Sequence, residues 1–289
     1  MIRFPGAVLL GAFWLAAVSP ASGEAPRIVS LAPHLTELAF DAGIGDHLVG
    51  AVAWSDHPPE AERLPRIGDA FRLDLERIVR LDATHALSWD GGTPVEAVSR
   101  LEALGISVHG ISIGSLDDIP VALLELGELA NSGSQARRAA DAFNQRRRRL
   151  ADRYAGVEPG VPVFYQVTHA PLFTLGARHV INDVFALCGA SNVFSDLDVE
   201  AAAIDLEALL KRDPAAIVAS RAPGEPAAGV SWQQRTSLRA VRCDNLLDVD
   251  PALMVRPTTR LLDGAARLCE WLDRQVRRHP DRACRIDRG

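Results

Sequence analysis

Two α/β lobes, each Rossmann-like with a parallel sheet, joined by a single long α-helix: this is the fold class the sequence predicts, on three observations. Short apolar runs with strand character alternate with helical runs over the first half of the chain, which implies parallel βαβ units. One helical stretch without strand signals, Gln135 to Tyr154, interrupts the alternation and would span about 30 Å at 1.5 Å per residue. The alternation then restarts and repeats part of the first half. Asp74-Leu75-Glu76 with Asp82 recurs as Asp205-Leu206-Glu207 with Asp213, each set followed by an apolar strand.

The elements follow in order. Arg27 to Leu31 is a short apolar strand that ends before Pro33. Thr36 opens a helical run through Leu38, Ala39 and Phe40 that Gly43 stops, and Leu48 to Trp54 reads as the next strand. Leu73 to Leu81 is helical, Ala86 to Trp89 is a strand, and Gly91-Gly92 makes a turn. Val95 to Leu104 is a helix closed by Gly105, followed by a strand over Ser107 to Ile111. Ser115 with Asp118 three residues on resembles a capping box and predicts a helix to Ala130. Beyond Ser132-Gly133-Ser134 lies the long helix, whose Arg146 to Arg149 read as a solvated basic face. The second half predicts a strand at Val161 to Val167, helices at Ile181 to Leu187 and Leu206 to Leu210, and a strand at Ala215 to Ala219. The helix ending Ala42-Gly43 also matches the one ending Cys188-Gly189. The division is therefore a signal segment at 1–23, an N-terminal lobe at 24–132, a linking helix at 133–156, a C-terminal lobe at 157–278 and a polar tail at 279–289. Two such halves make a cleft between lobes, where the strand C-terminal ends of open α/β sheets bind ligands.

Composition narrows the class. Arg3, the apolar run Ala7 to Val18 and the small residues up to Gly23 have the layout of a cleaved secretory signal. The run is well short of the ~20 residues of a membrane-spanning helix, and no cysteine near the cleavage point offers a lipid anchor. The chain is therefore expected to be exported. A hydrophobic content of 48% supplies a substantial core, and the formal charge of −6 becomes −7 once Arg3 is removed. That balance argues against nucleic acid as a partner. Lys211 is the chain's one lysine. Four cysteines, Cys188, Cys243, Cys269 and Cys284, permit three disulfide pairings in an exported protein. None forms a Cys-x-x-Cys pair, which disfavours thioredoxin-like chemistry and a zinc ribbon.

Several segments, in order, carry a resemblance. They are Arg27 to Leu31 with Thr36 to Phe40, Trp54-Ser-Asp-His-Pro-Pro59, Leu75 to Val79 and Ser88-Trp-Asp-Gly-Gly92. Pro171 to Thr174, Cys188-Gly-Ala-Ser-Asn-Val-Phe194 and Arg256-Pro-Thr-Thr-Arg260 complete the set. Together they resemble class III periplasmic substrate-binding proteins, the ABC-importer receptors for cobalamin, siderophores and haem, and above all their cobalamin branch. The resemblance implies capture of a corrinoid, cobalamin foremost, and delivery by a monomer to a dimeric membrane permease, with no enzymatic step and no cofactor beyond the transported ligand. It implies that Glu76 and Glu207, one on each lobe, meet arginines of the permease. The internal repeat supports this, since both occupy the same place in their halves. It also implies a disulfide between Cys188 and Cys269. Cys243 and Cys284 have no counterpart, and their state stays open.

A corrinoid is large, flat-faced and fringed with amides, so aromatic side chains can bury its faces while a few polar groups meet its rim. By resemblance the ligand-binding residues are Pro33, Trp54, Phe71, Trp89, Phe173, Asp250 and Arg256, the last of which reads equally as a salt bridge that holds its loop. Two tryptophans of the family pattern are replaced, by Ala70 beside Phe71 and by Ala201, and this less aromatic pocket suggests a haem or siderophore receptor as the alternative. From another class, Gly110-Ile-Ser112-Ile-Gly114 matches the Gly-x-Ser-x-Gly elbow of a secreted serine hydrolase using Ser112. Its helix, however, is expected only after Ser115, and no His-Gly-Gly loop precedes it. His34 and His169 each follow the first strand of a lobe, a placement that would let them face each other and ligate a metal or haem iron. They read more simply as hydrogen-bonding groups, and no metal site is expected.

Overall fold

The computed structural model describes residues 25–69, 72–156, 160–221, 224, 227–232 and 234–277. The signal segment 1–23, the tail 279–289, Ala70, Phe71 and Cys284 lie outside the described residues. In the first lobe, β1 (Ile28–Ser30), β2 (Leu48–Ala51), β3 (His85–Trp89) and β4 (Ser107–Ile111) form a sheet in the order β2-β1-β3-β4. In the second, the strands are β5 (Val161–Gln166), β6 (Phe173–Leu175), β7 (Ala190–Asn192), β8 (Ala201–Ala203), β9 (Ala216–Ser220) and β10 (Leu246–Val249). Four of these form the sheet β10-β9-β5-β7, while β6 and β8 pair as a separate antiparallel ribbon. Every pairing within the two main sheets is parallel. Listed from its other edge, the second sheet runs β7-β5-β9-β10, so each lobe places its first strand between its second and third. The sequence repeat is thus a repeat of topology.

Local signals explain the helices between the strands. They are α1 (Pro33–Asp41), α2 (Leu75–Arg80), α3 (Val95–Ala103), α4 (Asp118–Glu128), α5 (Gly133–Tyr154), α6 (Ile181–Leu187) and α7 (Leu206–Arg212), followed by α8 (Ala228–Trp232), α9 (Arg239–Arg242), α10 (Pro251–Met254) and α11 (Leu261–Trp271). Pro33 stands at the first turn of α1, where its missing N–H costs nothing. The Asp-Leu-Glu repeat is a repeat of caps. Asp74 accepts the Arg77 N–H at 2.9 Å and Asp205 accepts the Ala208 N–H at 2.6 Å. Both segments also end on an aspartate with left-handed backbone, Asp82 at φ 50° and Asp213 at φ 39°.

Two expectations shift and one element is additional. The strand expected to reach Trp54 stops at Ala51. Helix α4 begins at Asp118 rather than Ser115, with the Asp118 carboxylate accepting from the Ser115 N–H and Oγ at 2.8 Å each. The ribbon of β6 and β8 carries no clear period in sequence and was not expected.

The two lobes share apolar core. One cluster runs from Ile28, Leu35 and Leu38 through Leu123 and Leu126 of α4 and Ala136, Ala140 and Phe143 of α5 to Phe185 and Leu268. Helices α4 and α5 approach closely because Gly127 has no side chain; a Cβ there would lie 2.4 Å from that of Ala136. Of the basic run on α5, Arg146 pairs with Asp263 and Arg147 with Asp117. The Cys188–Cys269 disulfide joins the end of α6 to α11, both residues fully buried. Cys243 is also disulfide-bonded. Among the described residues, no helix is long and apolar enough to cross a membrane.

Candidate functional site

Because each main sheet is parallel, the loops leaving its strand ends open on a single edge. The loops after β1, β3 and β4 bring His34, Trp89, Asp90, Gly91, Ser112 and Gly114 from the first lobe. Val167 after β5, Leu175 of β6, His179, Glu200, Ala201 and the segment Val255 to Pro257 come from the second. Together they line a cavity of about 820 Å³ between the lobes. That size falls within the range of small-molecule clefts, roughly 300–1,000 Å³.

Of the residues expected to bind ligand, Trp89 and Arg256 line this cavity. Trp89 is held by its backbone N–H to Thr93 Oγ1 at 2.9 Å, and its ring meets His34 edge-on at 5.3 Å. Pro33 immediately precedes His34 on α1. Phe173 shares a ribbon face with the cavity-lining Leu175, since alternate residues of a strand point the same way. The residues paired with these two are Ala203 and Ala201, whose methyl groups leave the ribbon open there. Asp250 caps α10, its carboxylate accepting the Ala252 N–H at 2.9 Å. Phe71 lies outside the described residues. Trp54 is 76% exposed and holds φ 66°, a left-handed backbone that bulky residues rarely adopt. Such strain costs of order 1–3 kcal/mol and collects at ligand clamps and active sites.

The segment Arg256-Pro-Thr-Thr-Arg260 closes one side of the cleft by gripping the first lobe three times. Arg256 donates to Asp56 at 2.5 and 3.4 Å, Thr259 donates to Asp41 at 2.7 Å, and Arg260 forks onto both Glu37 oxygens at 2.7 Å. Burial opposes the charge on Asp56, but the hydrogen bond and charge of Arg256 outweigh it and hold the carboxyl below its ordinary range. Burial pushes Asp41 the other way, above its ordinary range, against the Thr259 hydrogen bond. Asp56 is two residues from Trp54, so the ion pair ties the chain next to the exposed tryptophan to the cavity-lining Arg256. Sequence reasoning named Arg256 but not its acid.

The histidines do not pair as their placement suggested. His169 is exposed and sets its ring edge on Trp232 at 5.2 Å. The second-lobe histidine that shares the cavity with His34 is His179. A signal was present: aligning the halves on Gly43 and Gly189 places His179, not His169, opposite Pro33. Burial lowers both rings to pKa about 4, helped at His34 by the Arg256 charge. His179 Nδ1 accepts the Ile181 N–H at 3.0 Å, which leaves its proton on Nε2. His34 Nε2 is buried with no partner. Among the described residues, no three His, Cys, Asp or Glu side chains gather as a metal site. Ser112 lines the cavity, yet α4 starts only at Asp118, so Ser112 does not sit on a strand–helix elbow.

Glu76 and Glu207 are each the second residue of their helix and exposed. Helices α2 and α7 each lead back into a central strand of their sheet, so their N-termini lie level with the edges that form the cleft. The helix dipole favours an acid at that end, and Glu76 meets Arg80 only loosely, at 3.6 Å.

Residues 28–248 match the periplasmic binding protein family. Among curated proteins, the vitamin B12-binding protein of Vibrio cholerae is 33% identical over 86% of this chain and 89% of its own length. The vitamin B12-binding protein of Pectobacterium carotovorum is 34% identical over 85% and 88%. The crystal structure of the periplasmic vitamin B12 binding protein of Vibrio cholerae superposes with TM-score 0.79 at 32% identity, covering 88% of this chain and 98% of that one. A periplasmic haem-binding protein from Pseudomonas aeruginosa reaches TM-score 0.75 at 27% identity, covering 85% and 92%.

Proposed function

This chain belongs to the periplasmic binding protein family, and from that premise we propose that it captures a corrinoid, cobalamin foremost, between its lobes and delivers it to an ABC importer. One observation carries the reading. A cavity of about 820 Å³ opens between the lobes of a chain that is one-third identical, over most of its length, to proteins named for binding vitamin B12. Trp89 supplies a flat apolar wall, Trp54 and Phe173 flank the opening, and Pro33 shapes the first-lobe rim. Arg256 and Asp250 meet the amide fringe; a ligand that hydrogen-bonds Arg256 competes with Asp56 for it. The neutral His34 and His179 add polar contacts without charge, which suits an amide-rimmed ligand.

The division into lobes at 24–132 and 157–278 with a joining helix at 133–156 gives the cleft its two walls, and one monomer provides both. Removal of residues 1–23 would release the receptor into the periplasm. Glu76 and Glu207 would then seat it on two equivalent permease subunits, a pair of acids matching a pair of basic sockets. Binding and release involve no covalent change.

Calorimetric titration of the purified mature chain with cyanocobalamin, and with haemin in parallel, tests the cargo. One-to-one binding below micromolar is expected, with Trp89→Ala weakening it at least roughly tenfold, the loss of about 1.4 kcal/mol. Heat with haemin and none with cobalamin would replace the cargo while leaving the receptor fold intact.

A further inference from the structure

The two acids expected to dock the importer do not stand alone. Among the described residues nine large apolar side chains are exposed, and two of them, Val79 at 49% and Leu210 at 37%, occupy equivalent positions of the repeat. Each lies three residues after its glutamate, so on a helix it shares that glutamate's face. Each also follows the residue that anchors its helix, Ile78 or Leu209, both fully buried. The next position is basic in both, Arg80 and Lys211. Each lobe therefore presents the same short sequence of chemistry: an exposed acid, an exposed aliphatic side chain one turn on, and a base beside it. Burial accounts for Ile78 and Leu209, while Val79 and Leu210 stay in water at matching places of the repeat, each beside an exposed acid.

We propose that Val79 and Leu210 are paired apolar contacts for the two permease subunits, each entering an apolar socket beside the basic group that receives Glu76 or Glu207. The proposal rests on the docking reading above and adds the apolar half of the interface. A twofold partner needs the same patch twice, which is what the repeat supplies. Burying the aliphatic side chain excludes water from the neighbouring ion pair, and a pair in lower dielectric is held more strongly. The acids favour this partner over an anionic lipid surface, which would repel them.

The mature receptor is titrated onto its host's cobalamin permease–ATPase complex in nanodiscs, and cargo affinity is measured separately. Val79→Ser and Leu210→Ser should each weaken docking roughly tenfold, the double variant more than either, with cobalamin affinity unchanged. Because Lys211 is the one lysine, amine acetylation gives an independent readout: docking should protect it. Wild-type docking by Val79→Ser/Leu210→Ser, with loss in Glu76→Ala/Glu207→Ala, overturns this inference and keeps the docking face. Unimpaired docking by both double variants removes the face altogether. Concentration-dependent dimerisation of the free receptor, abolished by Val79→Ser, would assign the patch to a second copy of this chain and also overturn the proposal.

Discussion

Arg260 holds a charge that the fold cannot leave alone. The Glu37 side chain is 2% exposed and both its oxygens accept from the Arg260 fork at 2.7 Å, while Arg260 itself is 24% exposed. Arg260→Gln removes the cation and strands a carboxylate between α1 and α11. Hydrogen bonds to charged groups contribute about 1.5–3 kcal/mol each, and breaking one partner out of a buried pair costs about 3–5 kcal/mol. Water can enter from the partly open Arg260 side, so the lower end applies: about 3 kcal/mol, or a fall in Tm of roughly 5–10 °C. Urea unfolding followed by circular dichroism at pH 7.5 measures it. The double variant Glu37→Gln/Arg260→Gln should be more stable than Arg260→Gln alone, because no buried charge remains. A loss below about 1 kcal/mol in Arg260→Gln, with no recovery in the double variant, would refute the reasoning. Glu37 would then be reaching water, and the segment from Arg256 to Arg260 would not be gripping the first lobe.

Two further outcomes follow from the same structure. His34 and His179 have pKa about 4 in the fold against 6.5 in the unfolded chain, so between those values the unfolded state binds more protons. Their contribution is complete above pH 6.5 and is lost as pH falls towards 4, about 3 kcal/mol for each ring over the full span. Urea midpoints at pH 7.5 and 5 should therefore differ less in His34→Gln/His179→Gln than in the wild type; equal differences would mean the rings are hydrated. Replacing the Cys188–Cys269 disulfide with serines opens a loop of sequence separation 81 and should cost about 4 kcal/mol in the chain-entropy picture. Calorimetric unfolding of the double serine variant checks this, and a change under about 1 kcal/mol would mean the unfolded chain is already constrained there.

Local patterns along the chain set the elements and their repetition. Gly43 and Gly189 announce helix ends, and the apolar runs at Ile28 and Val161 announce strands. Each of these signals is settled by neighbours a few residues away, through hydrogen bonds and burial that the local pattern encodes. Repetition of those local signals was enough to predict two like lobes, and it supported the places of Glu76 and Glu207 that the family resemblance implied. What meets across the cleft is set by tertiary packing instead. Arg256 finds Asp56 and Arg260 finds Glu37 over sequence separations of 200 and 223. Local spacing carries no information about such meetings, because they depend on how one lobe docks against the other through the shared core of α4, α5 and α11. The ribbon of β6 and β8 belongs with them: its alanines have little strand character of their own and take that form because Phe173 to Leu175 lies alongside.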